Sequence, residues 1–157
     1  MGRAKEPEGR KYVCRNRKAF HDFFIEDRIE AGLVLQGSEV KSLRDGRANL
    51  KDAYAVIENG EAYLLNMHIS EWPQATYLNH EPERRRKLLL HARQIQRLGI
   101  QTRQRGYTLV ALSVYFSETN RAKVELGLAR GKRKYDKRES IREKDQRRSE
   151  PDGGGKP

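Results

Sequence analysis

Ala53-Tyr54-Ala55-Val56-Ile57-Glu58-Asn59-Gly60-Glu61-Ala62-Tyr63-Leu64-Leu65 decides the fold. Two runs of aliphatic and aromatic residues flank Asn59-Gly60, and Asn-Gly supplies the two positive φ angles of a type I′ turn. The stretch therefore reads as a hairpin. A second antiparallel pair follows downstream. Tyr107–Phe116 places Val110, Leu112, Val114 and Phe116 on one face, and Val124, Leu126 and Leu128 alternate with Lys123, Glu125 and Gly127 in the return strand. The turn over 117–122 contains Asn120. Upstream, 23–35 reads as two extended pieces hinged at Gly32. Residues 37–44 predict a short helix capped by Ser38, with Val40 and Leu43 on one face and Gly46 as its stop. After Leu88-Leu89-Leu90 a helix is expected over 91–103, anchored by Ile95 and Leu98, with His91 a poor cap. Short hairpin-connected strands with a helix inserted midway predict a mainly β fold. The expectation is a small closed antiparallel OB-like barrel with short flanking helices and a basic C-terminal tail. An open sheet with helices on one side is the alternative.

Charge divides the 157 residues into a body and two ends. Residues 1–20 carry seven Lys/Arg against two acids, and residues 130–157 carry eleven against six. The 109 residues between hold fifteen bases and fourteen acids. The expected division is a flexible basic arm over 1–15, a barrel over 16–130 and a basic tail over 131–157. Such ends attract a polyanion over long range: RNA, DNA or an anionic membrane. The tail holds one sizeable apolar residue, Ile141, between 137 and 150, and Pro151 with Gly153-Gly154-Gly155 ends any helix. Alone it should be unfolded, since nothing repays helix nucleation; on a polyanion it should become helical. No apolar run spans a membrane and the N-terminus lacks a signal-peptide core, so a soluble cytoplasmic monomer without a membrane partner is expected.

Catalytic signatures are missing from the sequence. His21, His68, His80 and His91 form no metal-binding spacing, and no phosphate loop or nucleophile elbow occurs. The one cysteine, Cys14, excludes an internal disulfide and a Cys-rich zinc site; a basic arm can lower a thiol's pKa, but the thiol is read as incidental. The expectation is no catalytic residue, no metal and no cofactor. A metal-dependent nuclease built on His80-Glu81 with Asp22, Glu26 and Asp27 is the enzymatic alternative. Features suited to binding are denser. Asn16-Arg17-Lys18 leads into the first strand, Lys41 and Arg44 share a helix face, and Arg84-Arg85-Arg86-Lys87 forms a cation block, read as either a binding patch or a solvated run. Tyr135, between Lys134 and Lys137, is placed to stack on a base.

Several spaced stretches resemble one family. Gly37-Ser38-Glu39-Val40-Lys41-Ser42-Leu43-Arg44, Arg86-Lys87-Leu88-Leu89-Leu90 and Gly131-Lys132 with Asp136-Lys137-Arg138 resemble the motifs of the SsrA-binding protein (SmpB) family. Asn16-Arg17-Lys18-Ala19, Glu30-Ala31-Gly32-Leu33 and Gly60-Glu61 match in the same order. The resemblance covers roughly 16–140. It implies a non-enzymatic bacterial RNA-binding protein that binds the tRNA-like domain of transfer-messenger RNA and helps deliver it to stalled ribosomes. By motif position it assigns RNA binding to Asn16, Arg17, Lys18, Glu30, Lys41, Arg44 and Leu89. It assigns contact with the ribosomal decoding centre and empty mRNA channel to Lys132, Lys134, Tyr135, Asp136, Lys137 and Arg138. After Glu150 the chain departs from the family, and Gln94 stands where the family's pattern has Glu, a change expected to weaken the helix-start cap. A small ribosomal protein with an OB-like body and basic extensions shares the same composition and is the competing reading.

Overall fold

Asn59 and Gly60 take φ angles of 51° and 76°, the pair that a type I′ turn requires. They join β4 (Tyr54–Glu58) to β5 (Glu61–Leu65), paired from Tyr54–Leu65 to Glu58–Glu61. The computed structural model describes residues 9–74 and 79–131. The other strands are β1 (Lys11–Arg15), β2 (Phe23–Leu33), β3 (Ala48–Asn49), β6 (His68–Ile69), β7 (Arg86–Leu89), β8 (Tyr107–Phe116) and β9 (Ala122–Gly131). Three helices join them: α1 (Arg17–Asp22), α2 (Gly37–Arg44) and α3 (Ala92–Thr102).

The main sheet runs β1-β8-β4-β5-β7-β2-β9, and β8 also pairs with β9, so six strands close into a ring. Long strands make the closure possible by dividing one edge between partners. β8 gives Leu109 and Val110 to β4 and Ser113 to Phe116 to β1, while its other edge follows β9 along its length. β2 follows β9 from Phe23 to Gly32 and meets β7 at Gly32 and Leu33. The strand is thus continuous through Gly32. Its irregularity lies between Ile25 and Asp27, where the register against β9 shifts. The expected hinge at Gly32 is instead a position where one residue has strands on both sides.

A second register shift, between Ala111 and Ser113, reverses which side chains of β8 face the interior. Leu109, Ala111, Val114 and Phe116 join the main core, whereas Val110 and Leu112 pack with Ala19 and Ala129 in a separate cluster backed by Phe23 and Ile25. A single unbroken face of Val110, Leu112, Val114 and Phe116 is therefore corrected. The return strand keeps its alternation: Val124, Leu126 and Leu128 all enter the main core. Leu64, Leu98, Leu109 and Leu126 are shut off from solvent, and each such side chain stabilises the fold by about 1.5–3 kcal/mol.

The helix ends differ from expectation in instructive ways. α2 is capped by Gln36, whose N–H donates to Glu39 Oε1 at 2.7 Å; Ser38 lies within the first turn and bonds His80 instead. Its end is a Schellman motif, with Gly46 N–H donating to Leu43 O and Arg47 N–H to Ser42 O, both at 3.0 Å, and φ of 75° at Gly46. α3 starts after His91, and Gln94 closes that end by accepting from His91 N–H at 3.0 Å. An amide oxygen serves there as a carboxylate would, so Gln94 preserves the contact it was expected to weaken. β1 occupies residues that were assigned to a flexible arm.

Candidate nucleic-acid interface

The cation block 84–87 is matched by the protein's own acids, with Arg86 alone shut off from solvent. Arg86 is fully buried: its Nε is 2.8 Å from Glu39 Oε2, and its Nη1 and Nη2 donate to the carbonyls of Met67 (2.7 Å) and Pro82 (3.0 Å). Arg84 reaches the other Glu39 oxygen at 2.7 Å. Burial alone would raise the Glu39 pKa, but hydrogen bonds from Arg84 and the Gln36 backbone and the charge of Arg86 outweigh it and hold the carboxyl below its ordinary range. Arg85 pairs with Glu58 and lies 3.9 Å over the Tyr63 ring, while Lys87 is 3.3 Å from Glu61. This run is a strap that ties α2 to β7, and neither sequence reading of it anticipated that.

The strap fixes one outer face of the ring. Gly32 stands opposite Leu89 on one side and Lys123 on the other. A Cβ at Gly32 would lie 3.2 Å from Leu89 Cβ, so glycine is what lets the leucine settle over β2 while remaining 57% exposed. Glu30 is two residues earlier, directly across from Glu125. Facing like charges repel; Arg10 at 3.4 Å from Glu30 and Arg28 at 4.0 Å from Glu125 offset this. The Tyr115 hydroxyl also donates to Glu30. Burial, then that carboxylate, raise the Tyr115 pKa, so the hydroxyl keeps its proton.

A column of rings and guanidinium groups supports Glu30. Arg10 lies 4.1 Å over Tyr115, Tyr115 and Tyr12 are 5.3 Å apart, and Arg15 lies 4.0 Å over Tyr12. Sequence reasoning missed Arg10, Tyr12 and Tyr115. The alternation in Lys11-Tyr12-Val13-Cys14-Arg15 was the available signal, masked by reading the segment as an arm. Cys14 packs against the core, and burial pushes its thiol up to about 11, which fits the reading of an incidental thiol and not an activated one.

Asn16 is buried. Its Oδ1 accepts from Ala19 N–H at 3.1 Å, capping α1, and its Nδ2 donates to Leu50 O and Ala111 O, both at 3.0 Å. The cap leaves Arg17 and Lys18 exposed on α1. Lys18 rims a cleft of about 340 Å³ with Asp22, Lys51, Asp52 and Tyr54. Lys41 and Arg44 are exposed on α2, and Arg44 lies 4.7 Å over Phe116. Glu30, Leu89, Arg17, Lys18, Lys41 and Arg44 thus reach solvent, whereas Asn16 holds α1 in place. Lys132, Lys134, Tyr135, Asp136, Lys137 and Arg138 lie outside the described residues.

The groups named for a nuclease are dispersed. His80 is buried, with Nε2 donating to Ile69 O at 2.8 Å and Nδ1 2.8 Å from Ser38 Oγ. Asp22 bonds His21, Glu26 pairs with Arg130, and Asp27 lies 3.8 Å from Arg97. Among the described residues no three His, Cys, Asp or Glu are grouped to hold a metal ion, and no described helix is long and apolar enough to cross a membrane.

A ring of strands carrying an arginine–tyrosine column, a seated leucine and cations exposed on two short helices is the layout of a small nucleic-acid-binding β protein. The sequence pattern of the SmpB family, described as SmpB protein, matches residues 13–152. The chain belongs to that family. It is 56% identical over 140 residues to the SsrA-binding protein of Geobacter sulfurreducens, covering 89% of this chain and 91% of the relative. It is 56% identical over 134 residues to the SsrA-binding protein of Halothermothrix orenii, covering 85% and 86%. A solved structure described as "tmRNA-SmpB: a journey to the center of the bacterial ribosome" matches with a TM-score of 0.65 and 48% identity, over 76% of this chain and 83% of that one.

Proposed function

We propose that this protein binds the tRNA-like domain of transfer-messenger RNA (SsrA RNA) and helps deliver it to stalled ribosomes. The ring acts as an OB-like barrel that presents Glu30 and Leu89, and Arg17, Lys18, Lys41 and Arg44 add phosphate contacts around them. The carrying observation is the seating of exposed Leu89 on Gly32 beside a carboxylate held by Tyr115 and Arg10. A compact RNA offers no readable major groove, so recognition rests on backbone, 2′-hydroxyls and exposed loop bases. Glu30 among phosphates is repelled unless it accepts a hydrogen bond from a base edge or a 2′-hydroxyl, so it rejects wrong geometry as well as attracting the right one. Asn16 serves by positioning α1. Lys132, Lys134, Tyr135, Asp136, Lys137 and Arg138 enter the empty mRNA channel and decoding centre. The protein works in the cytoplasm, as a monomer, without a cofactor and without catalysis of its own.

The test separates body from tail. Chain ending at Gly131 should bind the tRNA-like RNA with modest loss in a gel shift at fixed salt, yet fail to support peptide tagging on stalled ribosomes. A fall to the affinity shown for unrelated RNA would overturn the division of labour, and equal affinity of the full protein for both RNAs would overturn the function.

A further inference from the structure

We infer that the outer stripe of α3, formed by Arg93, Arg97 and Ile100, is an RNA-backbone surface separate from the Glu30–Leu89 face, and that it meets the ribosomal RNA that receives the tail. The inference rests on the ribosome reading above. Residues 84–117 contain eight Lys/Arg and no Asp or Glu, although the body from 21 to 129 is nearly neutral. Four of those cations, Arg84 to Lys87, are matched by Glu39, Glu58 and Glu61. The other four lie on α3 and just after it, and two of them, Arg93 and Arg97, stand on its outer side.

α3 buries Ile95, Leu98 and Gly99 against the ring and turns Arg93, Arg97 and Ile100 to solvent, with Ile100 53% exposed. Spacings of four and three residues align these three side chains. The arrangement works against the helix. Arg93 and Arg97 repel at i,i+4, Arg93 sits in the first turn where the helix dipole disfavours a cation, and no acid on the helix relieves either. A face kept only for solubility mixes Glu with Lys. Here every cation is Arg, whose planar fork matches phosphate and whose plane stacks on bases. Among the described residues, Arg93 has no acidic partner, and Arg97 has only half-exposed Asp27 at 3.8 Å. A local cost relieved only by one half-exposed acid at 3.8 Å marks a surface that a polyanion completes.

Position selects which RNA. Asp27, which touches Arg97, adjoins Glu26, and Glu26 holds Arg130 at 2.7 Å and accepts from the Tyr107 hydroxyl at 3.1 Å. Arg130 is followed by Gly131, the last residue of β9, so Arg97 is linked through Asp27 and Glu26 of β2 to the point where the tail leaves the body.

The test uses the full chain with Arg93→Gln and Arg97→Gln together. Glutamine keeps helix propensity, so the melting temperature should not fall. Affinity for the tRNA-like RNA in a gel shift should be unchanged. Co-sedimentation with purified ribosomes across a salt series should show weaker binding, with the slope of log affinity against log salt reduced by about one to two units. Unchanged affinity and slope on ribosomes would overturn the inference, as would an equal loss toward the tRNA-like RNA, which would place the stripe on the recognition face. If the double variant melts lower, Arg93→Gln alone carries the same two readouts, with a slope change of about one unit, since Arg93 is exposed and no acid pairs with it among the described residues. Wild-type protein that fails to bind ribosomes overturns the functional reading and this inference together; wild-type binding matched by both variants overturns the inference alone.

Discussion

Glu39 of α2 and Arg86 of β7, both inaccessible to solvent, meet at 2.7 Å and join elements 47 residues apart in sequence. Removing Glu39 leaves the buried Arg86 guanidinium without a carboxylate, and removing Arg86 leaves buried Glu39 with Arg84 as its one remaining cation. Arg86→Met or Glu39→Ala should each cost about 3–5 kcal/mol in urea denaturation. Replacing both by apolar residues should recover part of that loss. Single variants as stable as wild type would show that water reaches the pair.

The same carboxylate sets an acid limit. Glu39 has a folded pKa below its unfolded value of about 4.3. Its stabilisation is therefore complete above the unfolded value and is lost as pH falls through the folded one. The urea midpoint of wild type should decline below about pH 4. Glu39→Gln should be less stable at pH 7, and the gap should narrow in acid. A gap independent of pH would separate the acid limb from Glu39.

Tyr115→Phe removes the hydroxyl that donates to Glu30 and keeps the ring between Arg10 and Tyr12. Stability should fall by about 1 kcal/mol, while affinity for the tRNA-like RNA falls several-fold as Glu30 loses its fixed position. Paired melting and gel-shift curves check this. Unaltered RNA affinity would mean that Glu30 acts without positioning.

Gly32→Ala brings a methyl to 3.2 Å from Leu89 Cβ, closer than an ordinary contact. Because Leu89 is solvent-exposed, it should tilt outward at a cost below about 1 kcal/mol to the fold, while RNA binding weakens. Equal affinity of the variant and wild type in filter binding would dismiss the seated leucine as a contact.

Cys14 in the folded protein, with its pKa near 11, is only about a thousandth ionised at pH 8. A thiol reagent should react slowly with native protein and much faster in urea. Similar rates in both would contradict the burial of the thiol.

What the sequence disclosed depended on how local the cause was. Asn59-Gly60 encodes its turn in two residues, and Val124, Leu126 and Leu128 alternate without interruption, so both hairpins were legible. β8 was legible as a strand but not as a face, because the extra residue between Ala111 and Ser113 is set by pairing with Glu125 and Leu126. The charge run 84–87 was visible, but its partners Glu39, Glu58 and Glu61 lie 26 to 47 residues away. β1 was hidden for the same reason: its hydrogen bonds go to β8, about a hundred residues later. Among the site residues, Glu30, Leu89, Lys41 and Arg44 lie at the surface, open to a partner. Asn16 does not; a helix cap and a ligand-facing amide look alike in one dimension.

Closure of the ring also orders events during synthesis. β2 is made early, yet its partner over Phe23 to Gly32 is β9, which ends at Gly131. A nascent chain that stops before 122 leaves long edges of both β2 and β8 unpaired, open to pairing with other chains. Such a product should be insoluble or degraded, so incomplete copies would drop out before they could compete for the partner.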